Sequence, residues 1–273
     1  MGNKTYPNHV LQNYFEDQYA TKLDLMQFCT IDDSLEGNPG DKVVINTYTA
    51  TDGTETVEMG KGNTKDIEVS YEPKEYVIET LQNRFPWYDE EENRDPLIVE
   101  KGIAHAAVDI FNTSNRKAMA EFHKATLKAY VPKYDFDAFV DGVALFDNEG
   151  EALPVFALVH KDNVAELRKN LKDDLKYLTD FVRTGYIGTV NGVNIYTSKL
   201  ATKDEIVLAT KKAVKYFNKK GVEIELYTKG NRSSEDANIR KNTMISRKYG
   251  IFAFADATQA VKLIKGEEPE AQG

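Results

Sequence analysis

The sequence predicts an α+β protein: one body with two extensions that have little core of their own. Three observations predict this. A terminal segment carries a helical apolar stripe ahead of any strand. Two extended runs flank a Gly/Thr-rich tip. After a long helical stretch, short apolar runs alternate with helices and glycine turns. At 273 residues, 41% hydrophobic and 29% charged, the chain is long enough for one large domain or two small ones.

Taken in order, residues 10 to 30 show a helical period, with Val10, Leu11, Tyr14, Phe15 and Tyr19, then Leu23, Leu25, Met26 and Phe28, on one face. That face fits docking on its own domain or packing against a neighbouring chain. Residues 31 to 41 (IDDSLEGNPGD) read as a turn-rich connector, and Val43 to Tyr48 as a strand. Residues 50 to 65 hold three glycines among polar residues, the composition of an exposed, mobile tip. Extended runs follow at Ile67–Tyr71 and Tyr76–Leu81, so the pair makes a long projecting hairpin. The acidic run 89–95 reads as solvated loop. Asp95-Pro96 is a helix start, because the carboxylate accepts free N–H groups and proline suits the first turn. Helix is expected from Leu97 to Phe111. Asn112 to Asn115 break or recap it, and a second helical stretch runs from Arg116 to Ala129.

Beyond Tyr134, Phe136–Leu145 is mixed helix or loop and Pro154–Val159 is a buried-strand candidate. A helix capped at Asp162 or Asn163 runs to Leu178. Asn191-Gly192 is a two-residue hairpin signal, since a type I′ turn needs positive φ at both central positions. Gly185, Gly188 and Gly192 are expected to set structural turns there, with Val193 and Ile195 facing the core. Ile206–Ala209 is apolar, Lys211–Lys220 is helix or turn, and Val222–Tyr227 is a half-buried strand. Asn238–Tyr249 is extended, and Ala257–Ile264 is the final short element.

The totals exclude several classes. A net charge of -9 argues against a protein that coats nucleic acid. No run reaches the roughly 20 apolar residues that span a bilayer, and residues 1 to 10 show no apolar h-region of a secretory signal. A single cysteine, Cys29, fits a reducing compartment and reads as a buried inert thiol. His9, His105, His123 and His160 make no ligand pair, and no phosphate loop or nucleophile elbow is present. Asp135, Asp137 and Asp141 are the best catalytic candidates, spaced to gather around Mg²⁺ or to solvate a helix edge. Seven lysines from Lys199 to Lys220 could form a basic face toward nucleic acid or an ordinary solvated one.

The order of these parts resembles the major capsid proteins of tailed bacteriophages, the Hong-Kong-97-type fold. Gly40-Asp41-Lys42-Val43-Val44-Ile45 resembles that family's approach to its extended loop. Phe156-Ala157-Leu158-Val159-His160-Lys161 followed by Leu167-Arg168 resembles its strand–turn–helix, with Lys161 where many members carry proline. Thr184 to Ser198 resembles its glycine-punctuated TG-x-IG segment. Lys220-Gly221-Val222-Glu223-Ile224-Glu225 with Ser246-Arg247-Lys248-Tyr249-Gly250 resembles its long strand pair.

The resemblance implies an N-terminal arm (1–40), an E-loop hairpin with flanking peripheral-domain strands (41–90) and a peripheral domain with a long spine helix (91–130). It further implies an axial domain (131–220), a peripheral strand pair (221–249), the end of the axial domain (250–265) and a disordered tail (266–273). It implies a non-enzymatic, cofactor-free subunit that self-assembles into the hexamers and pentamers of an icosahedral shell around double-stranded DNA. Such a subunit is assembled in the host bacterial cytoplasm and resides in the virion. The expected partners are copies of itself, a separate scaffolding protein (no long N-terminal extension precedes the arm), a portal and a decoration protein. Intersubunit candidates are Val10, Tyr14, Phe15, Tyr48, Met59, Lys61 and Lys65. Some members cross-link a loop lysine to a neighbour's asparagine. Lys61 and Lys65, with Asn231, Asn238 and Asn242, lie in the corresponding segments, but no register links them. Two rivals stand beside this reading: an encapsulin-like bacterial nanocompartment shell, and a metal-dependent hydrolase using Asp135, Asp137 and Asp141.

Overall fold

A computed structural model describes residues 23–94, 97–146, 154–171 and 186–267. Twelve strands fall into three sheets among these residues. A four-stranded sheet has the order β1 (Thr30–Asp32), β10 (Val214–Tyr227), β11 (Lys241–Phe254), β4 (Glu79–Tyr88). A six-stranded sheet has the order β5 (Leu127–Val131), β12 (Ala260–Lys265), β9 (Glu205–Ala209), β6 (Val155–His160), β8 (Val193–Ser198), β7 (Tyr186–Val190). β2 (Lys42–Ala50) and β3 (Val69–Val77) pair only with each other.

The six-stranded sheet is apolar on both faces because both are covered. All six residues of β6 are buried. Val155, Ala157 and Val159 enter one core with Ile195, Ile206, Leu208 and Leu263, under the short helices α3 (Phe136–Ala144) and α4 (Val164–Asn170). Phe156 and Leu158 point the other way, into a core with Phe28, Met119, Phe122, Tyr216 and Phe252. Phe122 meets the Phe156 ring edge-on at 5.7 Å. The second core joins the two larger sheets.

The helix α2 (Ile98–Phe122) runs 25 residues, roughly 38 Å at 1.5 Å per residue. Its Ile103, Ala106 and Ala107 pack with Trp87, Ile224 and Met244 of the four-stranded sheet. Its far end enters the core between the sheets. Asn112 to Asn115 do not interrupt it. Their weak helix propensity is outweighed by tertiary contacts of Asn115, whose Oδ1 accepts from the Leu25 N–H at 3.0 Å. The expected helix through Ala129 ends at Phe122, and Leu127 starts β5 instead. Lys211–Lys220, expected as helix or turn, contributes the start of β10, where Val214 and Tyr216 alternate inward and pair with Phe254 and Phe252 of β11. Between residues 10 and 30, only a single 3-10 turn (Leu25–Phe28) and β1 are described. The helix start at Asp95-Pro96, the helix beyond Leu171 and the tail from 268 lie outside the described residues.

The Asn191-Gly192 turn forms as expected: φ is +47° at Asn191 and +75° at Gly192, the two positive values that a type I′ turn requires. Val193 and Ile195 are fully buried. Gly188 sits at a register shift between β7 and β8 with φ +154°, a bulge conformation that glycine adopts without steric cost. Gly185 lies outside the described residues.

Candidate functional site

The β2–β3 ribbon projects from the four-stranded sheet with no second layer of its own. In an antiparallel pair, directly opposed residues share a face. The register therefore puts Val44, Tyr48 and Ala50 with Val69, Tyr71 and Val77 on one face. Thr47 and Thr49 stand with Glu72 and Ser70 on the other. The first face is exposed: Tyr48 66%, Tyr71 65%, Val69 64% and Val44 50%. The two tyrosine rings lie 6.1 Å apart. Lys42, Asn46 and Glu75 share this face toward the base, so its apolar part is the outer patch of Tyr48, Ala50, Val69 and Tyr71, an exposed apolar patch of the kind that marks an interaction surface.

At the tip, Met59 is fully exposed, and Lys61 pairs with Glu58 at 2.7 Å. The exposed tip carries hydrogen bonds across itself. The Thr64 N–H and hydroxyl donate to Glu55 at 2.9 and 2.8 Å, which holds the Glu55 carboxyl below its usual range. Asn63 Nδ2 donates to Gly53 O at 3.2 Å. At the base, Tyr76 Oη donates to Phe254 O at 3.1 Å and lies under Lys124, while the Ile78 N–H donates to Asp41 O at 2.7 Å. Tyr76 thus latches the ribbon to the body. Tyr48, Met59, Lys61 and Lys65 all sit on this exposed ribbon, whereas Val10, Tyr14 and Phe15 lie outside the described residues.

A second site, missed at sequence level, stands at the distal end of the four-stranded sheet. Arg232 forms a bidentate pair with Asp89, at 2.5 and 3.2 Å, and its Nε donates to Asn242 Oδ1 at 3.0 Å. Asn242 Nδ2 donates back to Asp89 Oδ1 at 2.9 Å. Arg240, in a left-handed conformation with φ +53°, reaches Glu90 at 2.8 Å. This clip ties the β10–β11 turn, including the short helix α5 (Ser234–Asn238), to the acidic helix α1 (Asp89–Arg94). The acidic run expected as loop is therefore helical. Both ends of the Asn242 amide are engaged inside the clip, and Asn231 is engaged in its own turn, donating to Leu226 O at 2.7 Å.

The Arg232 guanidinium holds the Asp89 carboxyl below its usual range, with further help from Asn242. A depressed folded-state pKa contributes stability above the unfolded value of about 3.9, and that contribution is lost as pH falls through the folded value. Asp89→Asn is accordingly expected to cost about 2 kcal/mol at pH 7, because a nearly buried guanidinium loses its counter-charge. The gap from the parent chain should narrow as pH drops below about 4. Urea midpoints of both chains from pH 7 to pH 3 check this; a constant gap would refute it.

The carboxylates Asp135, Asp137 and Asp141 are not brought together. Asp135 caps α3, accepting from the Ala138 N–H at 3.1 Å, and pairs with Lys133 at 2.8 Å. Asp137 and Asp141 lie on the exposed side of that helix. Among the described residues no cluster of three His, Cys, Asp or Glu is placed to hold a metal ion. The Cys29 thiol is buried, its pKa pushed up to about 12 by that burial. His105 is exposed on α2, His123 follows its last turn beside Glu205, and His160 accepts from the Asp162 N–H at 3.2 Å. Three of the lysines from 199 to 220 are engaged with separate partners. Lys203 pairs with Asp162 at 2.7 Å, Lys219 with the Asn38 carbonyl and Lys220 with Glu223. No described helix is long and apolar enough to cross a membrane.

No family model matches the chain. The major capsid protein of Staphylococcus phage phiMR11 is 21% identical over 267 residues, covering 94% of this chain and 92% of that protein. Among solved structures, the mature capsid of bacteriophage PhiM1 matches with a TM-score of 0.66 at 12% identity, covering 91% of this chain and 88% of that one. The capsid of cyanophage P-SCSP1u matches with 0.65 at 13%, covering 90% and 89%. A virus-like particle from Pyrococcus furiosus matches with 0.62 at 12%, covering 93% and 98%. The chain has the fold of tailed-phage capsid proteins, with the α+β character expected of it.

Proposed function

We propose that this chain is the major capsid protein of a tailed bacteriophage, a structural subunit that assembles with copies of itself into an icosahedral shell around double-stranded DNA. The observation that carries this reading is the β2–β3 ribbon. It leaves one apolar face uncovered on a fold shared end to end with phage capsid subunits. A neighbouring subunit buries that face. Such a contact is heterologous, and heterologous contacts that close make rings and then shells. The named phage relative, similar along nearly its whole length, supports the same reading.

On this reading the ribbon is the E-loop, with Tyr48, Met59, Lys61 and Lys65 as intersubunit residues. The four-stranded sheet with α2 is the peripheral domain, and the six-stranded sheet the axial domain. Scaffolding, portal and decoration proteins are the further partners, and assembly takes place in the host cytoplasm. The Pyrococcus furiosus particle shares the fold, so a cargo-holding nanocompartment is the rival. Electron microscopy of the expressed chain is expected to show closed shells or hexamer sheets. Particles from the producing phage should contain DNA. A monomer under all conditions overturns the shell reading, and shells filled with an enzyme instead of DNA transfer it to the rival.

A further inference from the structure

Among the described residues Lys248 alone of the lysines is buried, at 9% exposure. Its Nζ stands 3.2 Å from Met26 Sδ and 5.2 Å from the centre of the Tyr216 ring. Burial pushes the pKa of this ammonium down, with Asp24 opposing the shift. The neutral amine, which is the nucleophilic form, is therefore more accessible here than on a surface lysine.

Thioether and amine are each held from behind. Met26 belongs to the 3-10 turn Leu25–Phe28, and its N–H donates to Asp24 Oδ1 at 2.9 Å. The neighbouring Leu25 N–H donates to Asn115 Oδ1 at 3.0 Å, and Leu25 and Phe28 enter the core between the sheets. Lys248 is fixed by the pairing of β11 with β4, opposite Leu81. A separation of 3.2 Å falls within the roughly 3–3.5 Å of a near-attack arrangement.

Lys248 also lines a cavity of about 160 Å³, together with Tyr216, Glu121, Glu79 and Lys117. Glu79 and Lys117 are ion-paired and part-exposed, so the cavity opens to solvent beside them. A neutral oxidant of a few atoms can reach the buried amine by this route.

We propose that Met26 and Lys248 form a covalent modification site, joined through a sulfilimine (S=N) bond by a hypohalous acid. The amine attacks the halogen. The N–halogen bond forms, the O–halogen bond breaks, and hydroxide leaves with one amine proton as water. The Met26 sulfur lone pair then attacks Nζ, and halide leaves as the N–S bond forms. Loss of the remaining N–H proton gives the S=N bond. Sulfur gives up two electrons and the halogen takes them. The competing product is the sulfoxide, which carries an oxygen on sulfur instead. An amine held at attack distance competes at an effective molarity on the order of 10⁵ M, above that of water itself. The bond joins positions 222 residues apart, in a chain whose single cysteine, Cys29, allows no internal disulfide.

Treating the unassembled full chain with equimolar hypobromous acid, followed by digestion and mass spectrometry, tests this whether or not shells form. The Met26 and Lys248 peptides are expected to appear joined, lighter than their sum by two hydrogens. The joined form should exceed Met26 sulfoxide by about tenfold or more. Met59, fully exposed at the ribbon tip, should take the sulfoxide in the same sample and so report that the oxidant is active. In Lys248→Arg, which keeps the charge without the primary amine, Met26 should take the sulfoxide as well. Met26 sulfoxide as the main product in the parent chain overturns the proposal. So does an unmodified Met26 beside an oxidised Met59, or joining of Met26 to other lysines in equal yield.

Discussion

Replacing Tyr48 and Tyr71 by serine is expected to abolish shell formation at concentrations where the parent chain assembles, while leaving the subunit folded. The two rings sit on one face of the ribbon, about two-thirds exposed and 6.1 Å apart. Burying a large apolar side chain is worth about 1.5–3 kcal/mol, so losing two weakens each intersubunit contact by at least about 3 kcal/mol, roughly a hundredfold. On the proposed shell reading every subunit makes the contact, so the assembly threshold is expected to rise by a similar factor. Thermal unfolding of the unassembled subunit should change little, because surface substitutions usually stay within about 0.5 kcal/mol. The opposite face supplies the control. Thr47 and Thr49 share the ribbon and its register but not the apolar surface, so Thr47→Ala/Thr49→Ala should assemble normally. Light scattering and sedimentation of the three proteins decide the matter. Equal assembly by the tyrosine variant, or equal loss in the threonine control, would remove the face from the interface.

How far the sequence carries such expectations depends on the range of the forces involved. The Asn191-Gly192 hairpin was legible because positive φ at two adjacent residues is a local demand met by local chemistry. β6 was legible because a strand buried on both faces must be a continuous apolar run. The ribbon was legible in outline from its glycine-rich tip, but which face is bare depends on pairing register, and periodicity alone does not give that. Lys211 to Lys220 misled because their lysines hide the alternation of Val214 and Tyr216, which only pairing with β11 makes decisive. Asn112 to Asn115 misled in the opposite sense: isolated propensity favours a break, and contacts with a segment 90 residues away keep the helix whole. The Asp89–Arg232–Asn242 clip joins positions 143 residues apart. No local pattern announces it, since in the sequence alone each member is an ordinary polar residue type. The aspartates from 135 to 141 show the reverse error. Their spacing suggested convergence, but a carboxylate just before a helix is drawn to the free N–H groups of its first turn.

Gly102→Ala is expected to destabilise the subunit by about 2–3 kcal/mol, the cost of overpacking a tight contact. Helix propensity alone predicts the opposite sign, because alanine is favoured over glycine by about 1 kcal/mol inside a helix. Packing decides between them. A Cβ at Gly102 would overlap the Phe85 ring at Cζ and Cε1, where β4 passes under α2. The Phe85 ring is stacked on Trp87 at 5.3 Å, and Trp87 is held by its Nε1–H donating to Glu92 at 3.0 Å. The half-buried ring is backed by Trp87, so an added Cβ pushes ring and helix apart against that stack. At about 2–4 °C per kcal/mol for a chain of this size, the midpoint should fall by roughly 4–12 °C. Phe85→Ala opens the space, so the double variant Gly102→Ala/Phe85→Ala should be more stable than the sum of the two single effects by at least about 1 kcal/mol. Melting the four proteins side by side checks the cycle. A stabilised Gly102→Ala, or strict additivity, would mean that α2 can move away from the sheet. The close approach would then be a place where the helix happens to rest and not one that holds the sheet and helix in register.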